Sequence, residues 1–412
     1  VGGNPAWVSR VYVYKWFDPA DVGPCVDRSM LFGFLEESSP LQKGFGREIA
    51  VGEFDGAAGI DLAVAVPFHP MARAGGCNEC NSGAQIDQRG RVRIYSDVAA
   101  HLSGEESCTG GGGATLTLEN PQQPEQGSCN GSFGFKMTAS DVNGDGVSDL
   151  FVNAPGNGGS CTSEEFGTSW SAGQVLFFKG PIADRASPTA TLEDAHQLPC
   201  CAEDGGGSRF GMTRVSVGRV GSLPVVAVGA PRKNLWGFEG PDLPLLGCGT
   251  VKIKPKYFDD PGGAFRFVAD DAELTSWTGT QLFQNSPVFN ELVGYRAFAA
   301  EFSTQGEGDP DSDFLYVGLG GKACTPRIVY WDAEGLSEPP ANILAPGSFP
   351  QPSGETTGNW AIGGERTRLW VSEQGAHDQI VLGDSAWFTG FTCPGSQPTP
   401  DGRLLILHRT YP

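Results

Sequence analysis

Long apolar runs are missing from this chain. No stretch of 18 consecutive apolar residues occurs, so no segment has the length and hydropathy of a membrane-spanning helix. Basic residues are also scarce. Against 48 Asp and Glu stand 28 Lys and Arg, a formal net charge of −20. A field of that sign repels phosphate backbones and anionic lipid, which argues against nucleic acid as a partner and favours a cation or a basic protein. The histidines (His69, His101, His196, His377 and His408) are scattered, with no H-E-x-x-H or other metal spacing. There is no G-x-S-x-G elbow, and the glycines at 110–113 lack the Lys-Ser/Thr that would make a phosphate loop. The Ala/Glu/Lys/Leu excess of helical proteins is absent too. These absences favour a binding module over an enzyme.

What the chain has in quantity is turn chemistry. Gly (60) and Pro (30) exceed a fifth of its 412 residues, while 39% hydrophobic and 10% aromatic residues suffice for a core. Short strands joined by turns are the expected result. The 11 cysteines are Cys25, Cys77, Cys80, Cys108, Cys129, Cys161, Cys200, Cys201, Cys248, Cys324 and Cys393. Most lie in Gly/Ser/Asn-rich stretches, which points to disulfides in an oxidising compartment, and the odd count leaves one thiol free or intermolecular. Cys77 and Cys80 form a C-x-x-C without the second pair that a zinc site needs. Val1 fits a mature chain whose signal peptide has been removed. Asn130-Gly131-Ser132 is a glycosylation sequon.

Internal repeats organise the sequence. Units start near residues 45, 133, 210, 294 and 362, with FGREIAVGEFDGAAGIDLAVAVP, FGFKMTASDVNGDGVSDLFVNAPG and FGMTRVSVGRVGSLPVVAVGAP as the first three. Each has an apolar-Gly start, an alternating strand, a polar loop and a short apolar strand. A further alternating run follows: RVRIYS, QVLFFKG, TVKIKPK, RIVYWD or RLLILHR. A fourth strand is expected at Ala114, Thr189, Ala264 and Ala341. Four antiparallel strands repeated at roughly 70 to 90 residues predict an all-β fold, a β-propeller of about five or six four-stranded blades. The whole of 1–412 is expected to be one domain. Within residues 10–38, RVYVYKW and MLFGFLEE look like third and fourth strands without a first and second, and the C-terminal unit supplies strands one to three. The N-terminal strands are therefore expected to close the ring by pairing with the C-terminal blade. The ring then has six blades with one degenerate or five with an extra N-terminal strand, and a partner chain that completes it is the third arrangement.

The loop DVNGDGVSDL carries metal chemistry. Asp141, Asn143 and Asp145 stand at loop positions one, three and five, the Val147 carbonyl at seven and Asp149 at nine. Alternate residues of a tight loop point oxygens inward, and calcium takes roughly six to eight of them. An EF-hand would need Glu where Val152 stands, and flanking helices instead of strands. With Phe133-Gly134, this loop and Ala154-Pro155, unit two resembles the FG-GAP repeats of integrin α-subunits. The resemblance extends to Phe210-Gly211 and Gly229-Ala230-Pro231 of unit three. It implies a propeller with Ca2+ in the hairpin between the first two strands of a blade. Unit one offers Glu53, Asp55 and Asp61, without the middle carboxylate. Unit three puts Arg219 in the loop and should bind nothing. Unit four has Glu301 and the alternating Asp309, Asp311 and Asp313, and unit five retains Asp378. The recurrent last-position Asp is also suited to capping a turn.

The resulting expectation is a secreted, extracellular or cell-surface calcium-binding propeller. It would act as a protein-binding, adhesion or scaffold module, with a protein partner or self-assembly. Loops 68–90, 98–112, 156–172 and 232–248, with Trp170, Trp236 and Phe238, are candidate contact surfaces. The alternative is a glycan-binding lectin or a polysaccharide-acting hydrolase or lyase, since paired carboxylates cannot be located from sequence.

Overall fold

The computed structural model describes residues 9–16, 29–37, 44–68, 90–102, 114–121, 132–157, 161–162, 169–170, 173–183, 187–193, 210–212, 214–220, 223–230, 263–281, 296–303, 314–320, 327–332, 341–342, 368–373, 377–384 and 403–410. The architecture is all-β. β1 (Ser9–Trp16) and β2 (Ser29–Glu37) form an antiparallel hairpin. The first four-stranded sheet runs in chain order through β3 (Ile49–Gly52), β4 (Asp61–Val66), β5 (Arg91–Tyr95) and β6 (Leu116–Glu119). A short helix, α1 (Val98–Leu102), follows β5. The second sheet uses β7 (Met137–Ser140) and β8 (Asp149–Ala154). A small ladder of β9 (Cys161–Thr162) and β10 (Ser169–Trp170) intervenes before β11 (Gln174–Phe178) and β12 (Ala190–Glu193) complete that sheet.

The third sheet is β13 (Ser216–Val220), β14 (Leu223–Ala230), β15 (Gly263–Ala269) and β16 (Trp277–Gln281). The fourth is β17 (Arg296–Ser303), β18 (Phe314–Gly320), β19 (Arg327–Asp332) and β20 (Ala341–Asn342). A three-stranded sheet of β21 (Arg368–Glu373), β22 (His377–Asp384) and β23 (Arg403–Thr410) ends the chain. Sequential four-stranded antiparallel sheets are the strand order of propeller blades. The chain divides into two compact units, Val1–Asn157 with Leu176–Thr189, and Gly158–Val175 with Ala190–Pro412.

In unit three the strand assignment changes. GAFRFVA is the third strand, paired with β14, and WTGTQ is the fourth. TVKIKPK, expected as the third, lies outside the described residues. Both runs are led by a glycine, Gly249 and Gly263, and alternate, so local pattern does not separate them. Phe267 of β15 is buried and meets the Phe210 ring edge-on at 5.7 Å, a place where a lysine would be desolvated. Pairing of the N-terminal hairpin with the C-terminal strands is not among the ladders of the described residues.

Second strands are buried along their whole length because both of their faces are covered. All six residues of β4 (DLAVAV) and of β8 (DLFVNA) are inaccessible. Alternation then decides which core each residue joins. Ala63, Ala65, Val92 and Ile94 pack against Met137 and Leu150 of the second sheet. Leu62, Val64 and Tyr95 face the other way, towards Leu35, Val11 and Val13 of the hairpin.

The apolar-Gly starts have a specific task. Phe45, Phe133 and Phe210 are buried, and the glycines after them take φ of 78°, 87° and 75°, a region open to Gly at little cost. The turn aims the N–H of Gly46, Gly134 and Gly211 at the carbonyls of Ala65, Asn153 and Gly229, at 3.0, 3.1 and 3.1 Å. Each carbonyl lies two residues before the proline that ends the unit's apolar strand. The start of a unit is thereby bonded to the end of its own second strand.

Candidate metal centre

Two hairpin loops, 53–60 and 141–148, join the first and second strands of the first two sheets. Their closing aspartates do the same work. Asp149 is buried, its Oδ2 accepts the Val142 N–H at 3.0 Å and its Oδ1 accepts the Gly180 N–H at 2.8 Å. Asp61, also buried, accepts the Phe54 N–H at 2.7 Å and the Asp97 N–H at 2.8 Å. Each carboxylate thus ties the start of its loop to the turn after the third strand. Val142 and Phe54 are themselves buried anchors. Asp149→Ala should cost roughly 3 kcal/mol even without metal, since two buried donors lose their acceptor. Urea unfolding in a chelator would check this, and a loss below half of that would count against the double-acceptor role.

The rest of the second loop is wound around its own acids. Asp141 Oδ1 accepts the N–H groups of Gly144 and Asp145 at 2.8 and 3.0 Å, and its Oδ2 accepts Gly146 N–H at 2.9 Å. Asp145 Oδ1 accepts Val147 N–H at 2.9 Å, and Asn143 Nδ2 donates to Asp145 Oδ2 at 2.8 Å. Gly144 and Gly146 supply φ of 77° and 88°. These bonds hold the exposed Asp145 carboxyl below the usual range. Burial pushes Asp149 up, against the opposing pull of its bonds to Gly180 and Val142, and the charges of Asp145 and Asp141 add to the rise. The loop therefore concentrates negative charge beside a buried carboxyl, the electrostatic condition that a bound cation relieves. Asp141 Oδ2 and both oxygens of Asp145 and Asp149 each keep a further lone pair for one.

The first loop offers a tighter cluster. Carboxylate oxygens of Glu53, Asp55 and Asp61 all lie within 4.8 Å of one another, the one such trio among the described residues. Glu53 Oε1 is buried and has no hydrogen-bond partner. A buried carboxylate oxygen without a donor is costly, and a cation held with Asp55 and Asp61 would satisfy it. The trio fits a hard divalent ion by donor type. The smaller ligand set in the sequence thus gives the more convergent geometry.

The two loops are knitted together. Ser148 Oγ accepts the Glu53 N–H at 3.1 Å, and Ser148 N–H donates to the Glu53 carbonyl at 2.7 Å. Ile182 N–H reaches the Phe54 carbonyl at 2.6 Å. Gly180 has no room for a side chain, because a Cβ there would lie 2.6 Å from Val147 Cγ1. Nothing in the sequence singled out Ser148 or Gly180, since their partners lie tens of residues away.

Other sequence candidates are placed more thinly. Glu301 lies on β17 opposite Tyr316, Arg219 on β13 opposite Pro224 and Asp378 on β22 opposite Glu373. Cys161 is in β9 and Trp170 in β10. Asp309, Asp311, Asp313, Trp236, Phe238, Asn130 and the other cysteines lie outside the described residues.

Residues 133–171, which hold the whole second loop, match the family model of the FG-GAP repeat. This segment is similar to an FG-GAP repeat. No curated protein matches the chain at a significant level. The FG glycine and the residue before the closing Ala-Pro of this repeat are the donor and acceptor of the clasp between Gly134 and Asn153. No helix among the described residues is long and apolar enough to cross a membrane.

Proposed function

We propose that this chain is a secreted or cell-surface β-propeller of FG-GAP repeats. Bound calcium rigidifies its hairpin loops, and the loops present a protein-binding surface in an extracellular assembly. Asp141, Asn143, Asp145, the Val147 carbonyl and Asp149 would hold one calcium, and Glu53, Asp55 and Asp61 another. The observation that carries this reading is the unpartnered, buried Glu53 Oε1 within a three-carboxylate cluster. The equivalent acidic loop of the second sheet adjoins it through Ser148. Calcium would cross-link each loop without changing the strands, so its effect falls on stability and loop order.

Isothermal titration of chelator-treated protein with calcium tests the reading. Saturable binding and a rise in melting temperature are expected. Glu53→Gln should remove one binding event and leave the other, and Asp145→Ala should do the converse. Heat of binding absent from the wild-type chain, or unchanged in both variants, would refute the calcium assignment.

A further inference from the structure

We propose that the hairpin loops 53–60 and 141–148 take up calcium as a coupled pair, with Ser148 as the positioning residue that links them. This rests on the calcium reading above and adds regulation to it: the affinity of each loop depends on the occupancy of the other. Both loops, and the turn at 180–182 that touches each of them, lie in one compact unit. Ser148 stands between two ligand positions of the second loop, the Val147 carbonyl and Asp149. Two of its bonds reach the first loop. Its N–H donates to the Glu53 carbonyl at 2.7 Å, and its Oγ accepts the Glu53 N–H at 3.1 Å. One residue thus holds both backbone polar groups of Glu53, the first carboxylate of its loop. The approach is close: a Cβ on Gly52 would lie 2.8 Å from Ser148 Cβ and Oγ.

A second bridge runs beside the first. After β11, Gly180 N–H donates to Asp149 Oδ1 at 2.8 Å, and Ile182 N–H donates to the Phe54 carbonyl at 2.6 Å. Phe54 N–H in turn donates to Asp61 Oδ2 at 2.7 Å. This bridge ends on Asp149 and Asp61, buried carboxylates that each hold two backbone donors, so it is a rigid frame whatever the loops carry. The variable element is the clamp of Ser148 on Glu53, whose two residues are only half-buried. In the third loop Pro224 holds the place of Ser148. It has neither N–H nor hydroxyl, so that loop cannot form the clamp.

The sign of the coupling is positive. The second loop is already wound on its acids, since Asp141 and Asp145 accept the N–H groups of Gly144, Asp145, Gly146 and Val147. With Asp145, the Val147 carbonyl and Asp149 engaged, the backbone on either side of Ser148 is fixed, and the serine fixes Glu53 in turn. The Glu53 carboxyl is then held where it reaches Asp55 and Asp61. Ordering supplied in advance raises the affinity of the second site to fill. By linkage the same factor acts in the opposite direction. Each loop brings three carboxylates, Glu53, Asp55 and Asp61 in one and Asp141, Asp145 and Asp149 in the other. An occupied loop therefore keeps no net positive charge with which to repel a second divalent ion.

The test titrates the chelator-treated full chain with calcium in a calorimeter. Asp145→Ala leaves the first loop alone to bind, and Glu53→Gln leaves the second. The product of the two wild-type association constants should exceed the product of these two single constants by at least about fivefold. With Ser148→Ala in all three chains, that ratio should fall to within about twofold of one. A merely structural serine would lower the melting temperature in chelator and leave the ratio where it was. Amide exchange gives a second reading: calcium added to Glu53→Gln should slow exchange of the residue 53 N–H, although the first loop then binds nothing. Two binding events with a wild-type ratio of one or below overturn the coupling and leave the calcium reading standing. A ratio that survives Ser148→Ala overturns the role of the serine. A wild-type chain that gives no heat of calcium binding overturns both the coupling and the reading beneath it.

Discussion

Alanine at Gly90 or Gly173 is expected to destabilise the protein by about 4 kcal/mol or more, against about 1–2 kcal/mol for alanine at Gly146. All three glycines have positive φ, at 79°, 88° and 88°, so backbone strain alone predicts similar losses. Their surroundings differ. A Cβ on Gly90 would overlap the backbone carbonyl and nitrogen of Phe133, and one on Gly173 the same atoms of Phe210. Around Gly146 nothing lies within 4 Å. Gly90 and Gly173 precede the third strand of one sheet and lie against the FG phenylalanine that opens the next unit. The backbone atoms they touch cannot rotate away as a side chain could, so the neighbouring unit must shift. Urea midpoints at constant m-value would measure the three losses. Equal losses at all three positions would show that conformation, not close approach between units, sets the requirement for glycine.

The second large effect is expected at a buried ion pair. Lys136 Nζ lies 2.7 Å from Glu48 Oε2, and both side chains are close to fully buried. The two residues hold the same place in consecutive units, three after Phe133 and Phe45, so the pair joins the starts of two sheets. Beside it the Arg47 guanidinium lies over the rings of Phe68 and Phe135, at 4.8 and 4.9 Å. Lys136→Met should cost about 3–5 kcal/mol, because it removes the ammonium that neutralises the buried Glu48 carboxylate. Combining it with Glu48→Leu should recover most of that loss, since a well-packed apolar pair of similar volume avoids desolvating either ion. Chemical denaturation of the two single variants and the double variant closes the cycle. A double variant no better than Lys136→Met would mean that the pair contributes direct attraction beyond mutual neutralisation.

Much of this fold was legible in the residues. The FG starts, the apolar second strands ending before proline and the alternating third strands recur along the chain, because strand periodicity and turn chemistry act over two to ten residues. The acidic loop 141–149 and its glycines were legible for the same reason, as was the incomplete set Glu53, Asp55 and Asp61. That the N-terminal segment holds two strands was legible from local pattern as well.

Tertiary structure decided what depends on distant partners. In unit three, two Gly-led alternating runs competed for the third strand, and GAFRFVA is the one whose Phe267 meets Phe210, more than fifty residues earlier. Asp149 and Asp61 emerged as double acceptors because Gly180 and Asp97 are brought to them after a third strand. Which loop gathers its carboxylates was likewise invisible. Asp141 turns inward to three backbone donors of its own loop, while one oxygen of Glu53 is left buried and unpartnered, in reach of Asp55 and Asp61. Sequence spacing lists the oxygens available to a cation. Whether they converge depends on how many backbone N–H groups claim them first, and that is set by the packing of neighbouring sheets.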